Sequence, residues 1–288
     1  MMSLRSQLRE LDIHPRKSLG QNFLVARGVL NQILAVAEVG AGDQVLEIGP
    51  GLGTLTRALA EYARRVVAVE VDRALVSALG EQLRDCTNVE IVAGDILTLN
   101  VTALIQQGTQ DCPAADRRYK VVANIPYNIT SAVLRHLLEA EMRPDLIVLM
   151  VQKEVAQRIT AQAGEMSLLS VSVQFYGLPR LMHHVPAGAF YPVPKVDSAI
   201  IRIDPHPELP LPDEQIEPFF RVVRAGFGQR RKQLRNSLAG GLGLSAIAVE
   251  QMMRQAGIAP ERRAQTLTID EWINLYQAQG QRWAAGKS

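Results

Sequence analysis

The sequence predicts an α/β protein: a doubly wound, mostly parallel sheet followed by a small all-α C-terminal domain. Three observations carry this. Short β-branched runs alternate with helical patterns five times over about 150 residues. One of those strands runs straight into a glycine loop and then a helix. Beyond a group of prolines at 205, 207, 210, 212 and 218, only helical patterns remain.

The elements follow in order. Residues 1–21 are polar and basic, with Arg5, Arg9, Arg16 and Lys17 leading into Ser18-Leu-Gly-Gln-Asn-Phe-Leu24. Gly20 breaks any helix, and Phe23 and Leu24 need an apolar surface, so this segment reads as an arm laid on something. Val29, Ile33, Leu34 and Ala37 recur at helical spacing. Gln44–Ile48 is a strand, Gly49-Pro-Gly51-Leu-Gly53 a tight turn, and Thr54–Ala60 a helix. Arg65–Glu70 is the second strand and Asp72–Leu83 the second helix. Val89–Ala93 is the third strand, ending at Gly94-Asp95. A polar insertion over 106–118 precedes Tyr119–Ala123, a strand closed by Asn124-Ile-Pro-Tyr127. A helix from about Ser131 to Glu141 and a strand over Leu146–Val151 complete the alternation. Leu169–Phe175 and Ser198–Ile203 read as two further strands. The helices Glu217–Gly226, Gln229–Leu238, Ala246–Ala256 and Asp270–Gln279 follow, the last with a capping box from Thr268 and Glu271. The proline group places a domain boundary near 206, giving domains 1–205 and 206–288.

Composition narrows the class. With 288 residues, 47% hydrophobic and 21% charged, the chain can bury one large core, or a core plus a smaller domain. Disorder is excluded. Cys86 and Cys112 belong to no paired motif, so neither a disulfide framework nor a zinc site is signalled. No apolar run reaches the roughly 18–20 residues of a membrane helix. The N-terminal residues lack a signal peptide's apolar centre. The expectation is a cytoplasmic protein with no membrane and no metal.

The chemistry gathers at strand ends, where open α/β sheets bind ligands. Gly49, Gly51 and Gly53 permit close backbone approach to a ligand. Thr54 stands where a dinucleotide fingerprint needs its third glycine, and no Walker lysine follows. The loop therefore suits a cofactor without a pyrophosphate. Glu70 can accept both hydroxyls of a ribose, and Asp95 can accept from an adenine amino group. Pro126 has no N–H to continue a sheet ladder, so the strand stops and delivers an amide and an aromatic ring. Asn124 can accept from an amino group, and Tyr127 can stack on a planar ring. Together these four features point to S-adenosylmethionine. His183-His184 has no partner at ligand spacing and reads as a surface pair; Met252-Met253 reads as core.

Asn124-Ile-Pro-Tyr127 closely resembles the motif of ribosomal RNA adenine N6-methyltransferases. Leu19–Leu24, Glu47–Leu52, Phe190-Tyr-Pro-Val-Pro-Lys-Val-Asp-Ser198 and Phe227–Leu238 resemble stretches of the bacterial 16S rRNA adenine dimethyltransferase family. The resemblance spans residues 17 to about 240. It implies a class I Rossmann-like methyltransferase fold with a seven-stranded, mostly parallel sheet. It implies cofactor binding by Asn22, Leu24, Gly49, Glu70, Asp95 and Asn124, with Gly51 and Ile96 beside them. It places the target adenine against Asn124, Tyr127 and Phe190, with Asn124 Oδ1 and the Pro126 carbonyl accepting from its amino group.

The substrate implied is two adjacent adenines near the 3′ end of 16S rRNA, in a precursor small ribosomal subunit, with the enzyme a monomer. Charge agrees with RNA: Arg221, Arg224, Arg230, Arg231, Lys232 and Arg235 fall within 219–235 with no acid among them. Gly226 and Gly228 are expected to break that helix. With the arm, this makes two basic elements able to flank one pocket. Two other readings stay open: a 23S rRNA adenine methyltransferase of the macrolide-resistance type, and a ribosome-assembly RNA-binding protein without catalysis.

Overall fold

The computed structural model describes Leu8 and residues 14–107, 118–229 and 231–285. Arg5, Arg9, Cys112, Arg230 and most of the 106–118 insertion lie outside the described residues.

Among the described residues, nine strands form two sheets. β1 (Phe23–Leu24) pairs antiparallel with β8 (Phe190–Tyr191) in a two-stranded ribbon. The main sheet contains β2 (Gln44–Ile48), β3 (Arg65–Glu70), β4 (Val89–Ala93), β5 (Tyr119–Asn124), β6 (Leu146–Gln152), β7 (Gly177–Val185) and β9 (Ser198–Pro205). Its spatial order is β4-β3-β2-β5-β6-β9-β7. The pairs from β4 to β6 are parallel and β9 runs antiparallel to β6. The chain winds outward from β2 to β4, then returns to β5 on the other side of β2. That reversal opens a crevice at the carboxyl ends of the central strands. Their sequences suit burial on both faces: β2 is buried throughout, and β3 from Val66 onward.

Helices α1 (Arg27–Ala37), α2 (Thr54–Ala60), α3 (Arg73–Gln82) and α5 (Thr130–Leu138) follow the pattern read from the sequence, whereas α4 (Val101–Gln106), capped by Asn100, was not read there. Val29, Ile33, Val36 and Ala37 turn the buried stripe of α1 onto a core shared with Val45, Leu59, Val122 and Met150. α6 spans Lys153–Ile159.

Two assignments change. Leu169–Phe175, expected as a strand, is a helix, α7 (Leu168–Gln174). Its apolar and polar residues alternate with the period of a strand. Ser167 and Ser170 nevertheless form a reciprocal cap, and the Ser170 hydroxyl donates to the Arg158 carbonyl at 2.6 Å, so the first turn is satisfied locally. The additional strand is β7, in which Pro179 conceals the pattern; as the outer strand of the sheet it tolerates a proline. His183-His184 lies on this edge.

The described residues divide into two compact units, 1–156 with 178–205, and 157–177 with 206–288. The second unit holds α7 together with α8 (Asp213–Phe227), α9 (Leu234–Leu242), α10 (Ala246–Gln255) and α11 (Ile269–Ala285). Phe175, the C-cap of α7, stacks on Phe219 with ring centroids 4.9 Å apart, which ties 157–177 to these helices. Pro218 lies inside α8 rather than in a linker, and Gly226 lies inside it too; the helix stops only at Gly228. Met252 and Met253 are core, as expected. Thr268 and Glu271 exchange the two bonds of a capping box at α11, 2.9 and 3.2 Å.

Candidate active site

The loop after β2 turns with Gly49, Gly51 and Gly53 all at positive φ (69°, 62° and 75°), a conformation that strains any residue with a Cβ. A Cβ on Gly51 would stand 3.0 Å from the Phe23 ring. The loop is thus pressed under the N-terminal arm. A cleft opens here, lined by the arm, the glycine loop and the ends of β3, β4 and β5.

Glu70 ends β3, almost fully buried. Its Oε2 accepts from Gly51 N at 3.3 Å and its Oε1 from Asp72 N at 2.9 Å. Burial pushes its carboxyl above the usual range, and those two N–H groups oppose the rise. Each oxygen keeps a lone pair for a hydroxyl donor. Asp95 is exposed just past β4, its Oδ1 accepting from Leu97 N at 3.0 Å, and buried Ile96 walls the same cleft. Leu52, Leu75 and Val71 add apolar lining. Two carboxylates over an apolar slot, with the glycine cradle on the far side of Glu70 from Asp95, fit an adenosine that carries a positive charge at its 5′ side.

Asn124 donates from Nδ2 to the Asn22 carbonyl at 3.1 Å. A carbonyl can face only the NH2 end of an amide, so this bond fixes the orientation and leaves Oδ1 free to accept. Asn22 donates in turn to the Gly20 carbonyl at 3.0 Å. The Pro126 carbonyl accepts from Ile129 N at 3.2 Å, leaving one lone pair. Tyr127 is half-buried at the cleft wall. Its hydroxyl stands 2.6 Å from the Ser198 hydroxyl, and burial raises its pKa while that bond opposes the rise. Leu24 also lines the cleft, held by its pairing with Phe190.

Phe190 does not act as the free stacking face expected of it. Its side chain is 1% exposed and packs into the core with Val29, Ile33 and Ile200. In this structure it pairs with Leu24 in the ribbon, and the aromatics that line the cleft are Tyr127 and Phe23.

One residue that sequence reasoning passed over is Glu47, 1% exposed at the floor of the cleft. Burial, with a contribution from the Glu70 charge, raises its pKa to about 8, opposed in part by the neighbouring Thr56 hydroxyl. Its Oε2 completes no hydrogen bond among the described residues. An acid inside a buried β2 was the available signal.

In the helical unit, Arg221, Arg231 and Lys232 are exposed. The other two described cations of that run are paired with acids that lie outside it. Arg224 bonds Glu217, and Arg235 meets Glu250 at 3.2 Å. Residues 228–233 form a turn, so Arg224, Arg231 and Arg235 do not share one continuous helix.

The seven-stranded sheet, its glycine loop and the acids on successive strand ends define a class I methyltransferase. The chain belongs to the ribosomal RNA adenine dimethylase family, whose model matches residues 13–279. It is 47% identical over 277 residues to ribosomal RNA small subunit methyltransferase A of Dehalococcoides mccartyi strain 195, covering 95% of this chain and 92% of that one. Its counterpart in Pelotomaculum thermopropionicum is 43% identical over 278 residues, covering 94% of each. Among solved structures, the 23S rRNA methyltransferase ErmE is 31% identical with a TM-score of 0.69, covering 89% of this chain and 99% of that one. A dimethyladenosine transferase from Plasmodium falciparum shares the fold, with a TM-score of 0.76 at 23% identity, covering 91% of this chain and 98% of that one.

Proposed function

We propose that this methyltransferase uses S-adenosylmethionine to dimethylate N6 of two adjacent adenines near the 3′ end of 16S rRNA, in a precursor small subunit, as a cytoplasmic monomer. The observation that carries the chemistry is the Asn124 amide at the cleft, whose NH2 end is taken up by the Asn22 carbonyl so that Oδ1 is left as an acceptor. The greater identity to small-subunit enzymes than to the 23S enzyme supports the choice of RNA.

The cofactor, when bound, supplies a methyl group on a positively charged sulfur. Gly49 and Gly51 let the loop approach it, Glu70 takes the ribose hydroxyls, and Asp95 and Ile96 hold the adenine end. Asn22 and Leu24 close the cleft from the arm.

An adenine amino nitrogen is a poor nucleophile because its lone pair is delocalised into the ring. Asn124 Oδ1 and the remaining lone pair of the Pro126 carbonyl accept its N–H groups, favouring tetrahedral geometry and the positive charge that develops there. Tyr127 stacks on the base and holds it in line, and alignment of this kind can remove several kcal/mol of barrier. The cleft is lined, among the described residues, by no His or Lys. The proton leaves after the nitrogen has become cationic, and none of the lining residues needs to act as a general base. The base must be extruded from its stack or already unpaired. Arg221, Arg231 and Lys232 supply phosphate contacts, with Arg224, Arg230 and Arg235 in the same run.

Transfer of tritiated methyl groups to under-methylated small subunits tests the reading, with the modified bases mapped afterwards. Incorporation at two neighbouring adenines near the 3′ end is expected. Normal cofactor binding without incorporation would leave the chain a non-catalytic RNA-binding protein.

A further inference from the structure

Asp72 begins α3 as its N-cap and is 4% exposed, a carboxylate nearly cut off from water. A buried carboxylate has to be satisfied by donors, and here they come from two parts of the chain. Oδ1 accepts from Ala74 N at 3.1 Å, which is the helix cap, and stands 3.5 Å from an Arg16 guanidinium nitrogen. Oδ2 accepts from Gln21 Nε2 at 3.1 Å. Gln21 Oε1 in turn accepts from Arg16 N at 2.8 Å. The Asp72 N–H donates to Glu70 Oε1 at 2.9 Å. Capping needs only one oxygen; the second is committed to the arm. A hydrogen-bonded chain therefore runs from Glu70 through Asp72 to Gln21, the residue directly before Asn22.

We propose that Asp72 is a positioning residue that clamps the N-terminal arm to the strand end bearing Glu70, so that cofactor occupancy and arm docking reinforce each other. This rests on reading the cleft as an adenosine-cofactor site. A ribose held on Glu70 restrains the carboxylate that fixes the Asp72 backbone. Asp72 then holds the arm whose Asn22 orients Asn124 and whose Leu24 lines the cleft. The coupling must be reciprocal: a docked arm tightens cofactor binding by the same factor by which cofactor tightens the arm.

The full-length Asp72→Asn variant isolates the clamp. Asparagine caps a helix as well as aspartate, so α3 is retained. Its NH2 group would then oppose the Gln21 amide, and the charge facing Arg16 is gone. S-adenosylhomocysteine is the probe, with its affinity read by calorimetry and arm docking read by trypsin cleavage after Arg16. In the native protein, saturating probe slows that cleavage. In Asp72→Asn the affinity falls about tenfold, as for a lost bond to a buried charge, and the protection shrinks with it. KM for S-adenosylmethionine rises and the melting temperature holds, while kcat at saturation is restored because bound cofactor re-docks the arm that orients Asn124. Gln21→Ala, which cuts the same link from the arm side, reproduces the loss of affinity. Native affinity and protection in Asp72→Asn would overturn the proposal. So would a lowered melting temperature with kcat reduced at saturation, which would make Asp72 a structural cap alone. A native protein that binds no probe would refute the cofactor reading of the cleft itself, and the clamp with it.

Discussion

The Tyr127 and Ser198 hydroxyls lie 2.6 Å apart, joining the loop after β5 to the first residue of β9. Ser198 is fully buried, on a strand that pairs with β6, so its position is fixed by the sheet. Tyr127 is thereby held at both ends, by the backbone turn at Pro126 and by its own hydroxyl. A ring held in this way is pre-oriented for stacking and loses little entropy when a base arrives. Ser198→Ala should lower kcat about tenfold, the scale of a lost buried hydrogen bond, with cofactor affinity unchanged. Tyr127→Phe should match it. Steady-state methylation of under-methylated subunits measures both, and a Ser198→Ala enzyme with native kcat would show that the hydroxyl pair does not orient the ring.

Asn124→Ala should reduce methyl transfer by about 10²- to 10³-fold, the usual cost of deleting a preorganised group facing developing charge. RNA binding should stay nearly intact. Asn124→Asp is the sharper variant. A carboxylate has no N–H to give the Asn22 carbonyl, so the arm is repelled as well, and cofactor affinity should fall together with kcat. Filter binding and single-turnover methylation separate the two effects.

The basic run divides by its ion pairs. Arg224 and Arg235 are engaged by Glu217 and Glu250, whereas Arg221, Arg231 and Lys232 are exposed. Changing Arg231 and Lys232 to Ala should weaken RNA binding and reduce the slope of log affinity against log salt by about 0.7–0.9 for each phosphate left without its cation. Arg224→Ala should change the slope less, because an existing pair has to open before that guanidinium can bind phosphate. An equal change in slope per cation removed in the two variants would remove the distinction.

Much of the first unit was legible because its signals are local. Strands β2 to β6 are apolar runs bounded by turn residues, and Gly49 to Gly53, Glu70, Asp95 and Asn124 each sit directly at a strand end. What was hidden depends on contacts that no local pattern shows. Acids at 217 and 250 neutralise arginines in a run that contains none. The alternation in Leu169–Phe175 gave way to a serine cap bonded to Arg158. Phe190 carries the same motif whether its ring faces a ligand or the core, and only packing against α1 decides. Asp72 looks like an ordinary helix cap until Arg16 and Gln21 are seen beside it.

Gly226 illustrates the same limit within the helical unit. Read locally, a glycine ends a helix; here it lies inside α8, where a Cβ would overlap the Trp272 ring. Trp272 is fully buried and its ring also packs against Phe227 at a centroid distance of 5.4 Å, so it has no room to move. Gly226→Ala gains helix propensity of about 1 kcal/mol, but overpacking of this kind costs about 1–3 kcal/mol or more. The net effect should be destabilising, with a lower denaturation midpoint.

Glu47 supplies a prediction in pH. An acid whose pKa rises on folding holds its proton more tightly in the native state. Stability therefore falls as pH climbs from the ordinary value of 4.5 to about 8, and levels off above that. The fall is about 1.4 kcal/mol per pH unit while the native acid stays protonated and the unfolded one is ionised. Glu47→Gln keeps the shape and removes the titration. Denaturant melts of the two proteins should agree near pH 4.5 and diverge steadily toward pH 8, with the Gln variant the more stable. The ordering is opposite to that for a salt-bridged carboxylate, whose loss would cost most at high pH. A Glu47→Gln protein less stable than the native one at pH 8 would mean that the carboxylate is ionised and paired in the fold, and that burial does not govern it.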